Sequence, residues 1–331
     1  MKKKGIIIFF TAALLLFTLP PVQAAPFYQG KTVKIIISTK PGGGYDFYGR
    51  LLAKFMQKNL PGSTFIVKNV PGAGDIIGVN EMYHSKPNGL TFAGFNRAIP
   101  IAQIVGIKGV KFDVGKMSWF GSAAVETYTL TVLPKFKNLE GVKNASKIRL
   151  GSSGLGTSSH LFAAVFKEMT GWQNISVSTG YMGAESELAM IRGELEGQFA
   201  SWSSMEPFCK DGNGIPVMFV GKKQPAGYEN VPMLEDVITD KKYEGVLELL
   251  TASNILGRPY AGPPDIPEDR LKVMTDAYAK ALNDPDLLKY ANKAGRPIDF
   301  TPPEEALKRV KKMFQIDPEQ KQVLKEAFGI K

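Results

Sequence analysis

The chain reads as an α/β protein made of two doubly wound units, and three observations carry that reading. Short β-branched runs alternate with amphipathic helical stretches, the alternation starts afresh near Thr127, and three glycine-rich loops each fall between a strand and a helix.

Residues 32–38 (TVKIIIS) suit a buried parallel strand, and residues 45–60 place Phe47, Leu51, Leu52 and Phe55 at helical spacing. Residues 64–69 (TFIVKN) are the second strand and 76–84 the second helix. A Pro-Asn-Gly turn at 87–89 then leads into a third strand ending at Asn96. In the second unit, strands are expected at 127–134, 148–153, 174–179, 197–202 and 216–221. Helices are expected at 158–171 and 184–194. Residues 247–254 (LELLTASN) are read as the strand that returns the chain to the first unit. Helical material follows at 267–283 and 303–314. The expected organisation is a leader over 1–24, a first lobe from 25–125 and 248–331, and a second lobe from 126–247.

The leader is read from its chemistry. Lys2, Lys3 and Lys4 precede an apolar run over 6–19, Pro20-Pro21 breaks it, and Val22 and Ala24 supply small residues for cleavage after Ala24. The run is short for a membrane span, so an exported, periplasmic protein is expected. Cys209 is the single cysteine and His84 and His160 the only histidines, which excludes a His/Cys zinc site and an intrachain disulfide. No cofactor is expected. The formal charge is +10 from 41 basic and 31 acidic residues, intermixed rather than gathered into a stripe. Nucleic acid is therefore not an expected partner, and a monomer is the expected assembly.

The loops are PGGGYD (41–46), PGAGD (71–75) and GSSGLGTSSH (151–160). Strand-to-helix loops sit where open parallel sheets bind ligands, and a helix N-terminus offers unpaired N–H groups to an anion. Asp46, Thr157, Ser158 and Ser159 are equally suited to capping those helices. Gly154-Leu155-Gly156 begins like a dinucleotide fingerprint, but Ser159 stands where glycine or alanine should follow, and no acidic residue ends the next strand. No P-loop lysine and no G-x-S-x-G elbow is present. A carboxylate, with two acceptor-only oxygens, fits such loops better.

PGGGYDFYGR, VKNVPGAGDIIG, KPNGLTF, GSSGLGTSSHL, GYMGAESELAMIRGELEG and GRPYAGPPDIP occur in that order over residues 32–300. Together they resemble the solute-binding receptors of tripartite tricarboxylate transporters, the Bug family. The resemblance implies a two-lobed type II periplasmic-binding fold, a Venus flytrap with two crossover strands at its hinge. It implies a solute carboxylate clamped by Pro41, Gly42, Gly43, Gly44 and Asp46 from one lobe and Gly154, Gly156, Thr157 and Ser158 from the other. Gly72 and Ala73 would shape the floor. Asp46 is expected to fix the loop, since a second carboxylate would repel the ligand. Tyr45, Met182 and Trp202 depart from the family's usual residues toward a less polar cleft, implying a solute with an apolar or aromatic remainder, and Tyr181, beside Met182, is a further candidate contact. Asn96 and Arg97, at the end of the third strand, are candidate contacts, with Arg97 suited to a second carboxylate. The implied partners are that small carboxylate and integral-membrane permease subunits. The competing readings are a secreted hydrolase using Ser153 or Ser158, and a sensory partner of a membrane receptor.

Overall fold

The computed structural model describes residues 25–330. The expected leader and its cleavage after Ala24 lie outside the described residues.

Two five-stranded sheets organise the chain. In chain order the strands are β1 (Thr32–Ile37), β2 (Thr64–Asn69), β3 (Thr91–Gly94), β4 (Ser118–Ser122), β5 (Tyr128–Val132), β6 (Ile148–Ser152), β7 (Ile175–Thr179), β8 (Gly197–Ser201), β9 (Ile215–Val220) and β10 (Pro259–Gly262). The first sheet has the order β2-β1-β3-β10-β4 and the second β7-β6-β8-β5-β9. β1, β2 and β3 are parallel, as are β6, β7 and β8, whereas β10 and β5 run antiparallel to their neighbours.

Burial on both faces explains the β1 sequence. Side chains alternate across a strand, so Ile36 enters the core shared with the helices Ile76–Tyr83 and Ile99–Val105. Val33, Ile35 and Ile37 enter the opposite core, with Tyr48, Leu52, Tyr260 and Tyr278. Apart from the exposed Thr32 and half-buried Lys34 at its start, the strand is covered on both faces, and a near-continuous apolar run is what such a position demands. The first of these cores continues into the second sheet through Leu130, Leu150, Phe162 and Val246.

One expected strand is corrected. Residues 247–254 belong to the helix Glu244–Leu256, because Val246, Leu249, Leu250 and Ser253 are buried at the 3.6-residue period rather than alternately. The chain returns to the first sheet a few residues later, through β10. Between β4 and β5, and again between that helix and β10, two short segments cross side by side. Ala123 N–H donates to Arg258 O at 2.9 Å, Arg258 N–H to Ala124 O at 3.0 Å, and Glu126 N–H to Asn254 O at 3.1 Å. A Cβ on Gly257, whose φ is +60°, would run into the Ala124 carbonyl, so the close crossing itself requires glycine here.

The C-terminal helices part company. Pro303–Met313 packs on β4, while Pro318–Ala327 packs on the helix Ser158–Thr170 beside the second sheet and also touches Ile99–Val105. Beyond its end, Phe328 stacks on His160 at 5.6 Å.

Candidate functional site

The three loops open from the carboxyl ends of β1, β2 and β6 and face one another. Between them lies a cavity of about 120 Å³ whose walls come from both sheets. Lys40, Pro41, Gly43, Gly44 and Tyr45 supply one side; Ser153, Ser159, Tyr181, Met182 and Gly183 supply the other. Asp75, Asn96, Tyr128, Gln198, Ser201 and Arg258 are among the residues deeper in it. A wider depression of about 420 Å³ at Leu139, Lys143, Trp172 and Asp240 touches none of the loops.

The first loop is held by Asp46. Its carboxylate accepts from Gly42 N–H at 3.0 Å, from Arg50 at 2.9–3.0 Å and from Asn69 Nδ2 at 2.9 Å. Burial opposes the Asp46 charge, but these donors outweigh it and hold the group below the usual carboxylate range. The N–H groups that open the helix Gly44–Asn59 are thereby fixed at the cavity edge, with Asp46 turned into its own loop rather than toward a ligand.

The second and third loops meet directly. A Cβ on Gly74 would run into the Leu155 carbonyl, so only glycine permits this approach. Asn96 locks the pair of lobes from beneath. Its Oδ1 accepts from Ser158 Oγ at 2.6 Å, Ser158 N–H at 3.1 Å and Ala98 N–H at 3.0 Å. Thr157 caps the same helix, accepting from His160 N–H at 3.4 Å and donating to Gly154 O at 2.7 Å. Asn96→Ala is therefore expected to lower stability by about 1–3 kcal/mol, since it leaves buried donors unmatched. Urea unfolding would measure this; a variant as stable as the parent would show that the bridge contributes nothing.

Arg258, which the sequence reading missed, lies in the cavity floor, with Arg97 and Arg296 packed close by. Arg258, 3% exposed, donates from Nε to Glu126 at 2.8 Å and from Nη2 to Ser201 Oγ at 3.1 Å, and its guanidinium lies 4.4 Å from the Tyr45 ring centroid. A Cβ on Gly44 would come within 2.7 Å of Nη2, so the first loop rests on this guanidinium. Burial works against the Arg258 charge; Glu126, Tyr45 and Tyr48 overcome it and raise the pKa. Arg97, 1% exposed, donates to the same Ser201 Oγ at 2.9 Å and to Asn254 Oδ1 at 3.3 Å, over the Tyr128 ring. Two buried guanidiniums thus converge on one hydroxyl, with Glu126 the carboxylate paired to one of them. Nearby, Arg296 bonds Ser204 Oγ at 3.1 Å, and burial and the Arg258 charge lower its pKa.

Asp75 is the exception in this setting. It is 1% exposed, lines the cavity, and adopts φ +74°, a left-handed conformation uncommon for a non-glycine residue. Neither carboxyl oxygen has a hydrogen-bond partner among the described residues. Burial pushes its pKa up to about 7, with the neighbouring Asn96 side chain offsetting this only in part.

Of the residues singled out from sequence, Pro41, Gly43, Gly44, Tyr45, Asn96, Tyr181 and Met182 line the cavity. Gly42, Asp46, Gly154, Thr157 and Ser158 shape its loops through the bonds above. Gly72, Ala73 and Gly156 belong to the second and third loops without lining the cavity. Two expectations are corrected. Trp202 does not line the cavity: its ring is buried against Phe219 at 5.3 Å and Tyr228 at 4.7 Å, while Ser204 and Met205 of the same helix, Trp202–Lys210, do line it. Arg97 is no free clamp for a second carboxylate, since Tyr45, Asn254 and Ser201 already occupy its donors. As for the serine chemistry, His160 Nδ1 lies 3.2 Å from Ser152 Oγ, while Ser158 Oγ is committed to Asn96.

Two α/β lobes, a doubled crossover and a polar cleft lined from both sides define a solute-binding protein of the periplasmic-binding class. The chain belongs to the tripartite tricarboxylate transporter receptor family, whose model matches residues 49–315. A Cupriavidus necator protein, "UPF0065 protein in gbd 5'region", is 26% identical over 287 residues, 83% of this chain and 82% of that one. A solved structure described as a periplasmic transporter superposes with a TM-score of 0.73 at 25% identity, covering 90% of this chain and 98% of that chain. MatC from Rhodopseudomonas palustris, with bound malate, shares the fold with a TM-score of 0.73 at 16% identity, over 89% and 99% of the two chains.

Proposed function

We propose that the protein captures a small organic carboxylate in the periplasm between its two lobes and delivers it to the permease subunits of a tripartite transporter. The observation that supports this most is the charge on the cavity floor. Arg258 lies in that floor, Arg97 is buried behind it on the shared Ser201 hydroxyl, and Glu126 is paired to Arg258 alone. An uncompensated buried charge is a standing cost, and an anionic solute removes it. The helix N-terminus at Gly44 adds N–H donors and the positive end of a dipole. Family membership and the malate held by the R. palustris relative support the same solute class.

The remainder of the solute would lie against Tyr128, Tyr181, Met182 and Met205, next to the polar Gln198 and Ser204. Closure would be driven by the solute's greater affinity for the closed state.

Calorimetric titration of the mature chain with a panel of mono- and dicarboxylates, straight-chain, branched and aromatic, tests the proposal. At least one acid is expected to bind with a Kd of about micromolar or tighter, which corresponds to about 8 kcal/mol. Binding to none, or steady hydrolysis of simple esters that Ser158→Ala abolishes, would overturn it in favour of the hydrolase.

A further inference from the structure

We propose that Asp75 reads a hydrogen-bond donor on the solute, so that the captured acid carries a hydroxyl or ammonium group as well as its carboxylate. The inference rests on the carboxylate reading above and adds a specificity residue to it. Asp75 lines the cavity with both carboxyl oxygens unpartnered, and among the described residues it is the one ionisable side chain so placed, the other unmatched buried groups at this end of β1 being the hydroxyls of Ser38 and Thr39. Asn96 has its oxygen committed to Ser158 and Ala98, and its side-chain amide, close enough to offset the burial of Asp75 in part, completes no hydrogen bond to either carboxyl oxygen. Ser153 and Ser159 are bonded within the third loop.

A buried carboxyl without a donor is costly, and the backbone here is held in a conformation that glycine would adopt without strain. Both costs are removed by glycine, so the carboxyl is best explained by something it binds. A carboxylate solute seated on Arg258 brings no donor of its own. A hydroxyl or ammonium elsewhere on the same molecule supplies one, and a site built to pair with such a group rejects analogues that lack it. An ammonium also neutralises the Asp75 charge, whereas a hydroxyl donates to the carboxyl in either protonation state.

Matched series test this: succinate, malate and aspartate; 3-phenylpropionate, 3-phenyllactate and phenylalanine; 4-methylvalerate, 2-hydroxy-4-methylvalerate and leucine. Each is titrated calorimetrically into the parent, Asp75→Gly and Asp75→Asn. In at least one series a donor-bearing member is expected to bind the parent about tenfold tighter or more than the unsubstituted acid. Asp75→Gly should bring the members of that series within about threefold of one another. Asp75→Asn separates the two donors: it keeps an acceptor for a hydroxyl but loses the charge an ammonium needs. Equal binding of unsubstituted and donor-bearing acids by the parent would overturn the assignment while leaving carboxylate capture intact. Discrimination that persists in Asp75→Gly would overturn it too, and failure of every acid to bind would remove the carboxylate reading itself.

Discussion

Arg258→Met is expected to cost about 3–5 kcal/mol of folding stability, the range for removing one partner of a buried ion pair, and to weaken solute binding about tenfold or more. The first effect comes from Glu126, whose side chain is as buried as the guanidinium it faces at 2.7 Å. Without Arg258 it is an unpaired charge beneath the crossover segments. The second effect comes from the loss of the cation on which the first loop rests. Pairing Arg258→Met with Glu126→Gln separates the two, because the double variant removes both charges. It should recover most of the stability, as replaced ion pairs often do, and none of the affinity. Urea unfolding and calorimetry on the same three proteins give both readouts. A single variant no less stable than the double one would show that Glu126 is not stranded, and unchanged affinity would remove Arg258 from the site.

The second large effect belongs to Asp75 and depends on pH. In the unfolded chain an aspartate titrates near 3.9; in the ligand-free fold burial moves this one to about 7. Between those values the folded state keeps a proton that the unfolded state has released, so stability falls as pH rises from about 4 to about 7. At about 1.4 kcal/mol per unit the total is about 4 kcal/mol, present in full at acid pH and lost above neutrality. Asp75→Asn has no such proton, and asparagine tolerates the left-handed backbone. The variant is expected to be more stable than the parent at pH 8 by about 4 kcal/mol more than at pH 4. Comparing the two by chemical unfolding at both pH values cancels the other titrating groups. A difference that stays constant with pH would rule the effect out.

How much of this was legible in the sequence varied with the range of the interactions involved. The β1 strand, the helix after it and the three loops declare themselves locally, through apolar runs, helical spacing and glycine placement. The cap at Thr157 and the self-contained bonding of Asp46 are likewise encoded within a few residues. The helix Glu244–Leu256 was misread because its leucines and its small polar residues also suit a buried strand. That error displaced the crossover and hid Arg258, which a glycine and a proline flank just as the chain enters β10. Trp202 was misplaced because nothing local shows which face of the helix it opens will meet the cleft, a place that Ser204 and Met205 take. Glu126 and Arg258 stand 132 positions apart, and no pattern of spacing joins them. Asp75 had a signal, an acid closing a loop of glycines, but its lack of partners is a property of the packed cleft alone.

The last helix, Pro318–Ala327, gives the molecule a mechanical link away from the cavity, besides the two crossing segments of backbone and the contacts between loops. It bears on Ile99–Val105 on one side and Ser158–Thr170 on the other, with Phe328 laid on His160 beyond it. Two adjacent tethers behave as a door hinge, free to swing about one line. A wedge fastened to both leaves turns that door into one with a stay. Any separation of the two sheets would have to slide this helix along one leaf or lift it off, at a place that contributes nothing to the lining of the cavity.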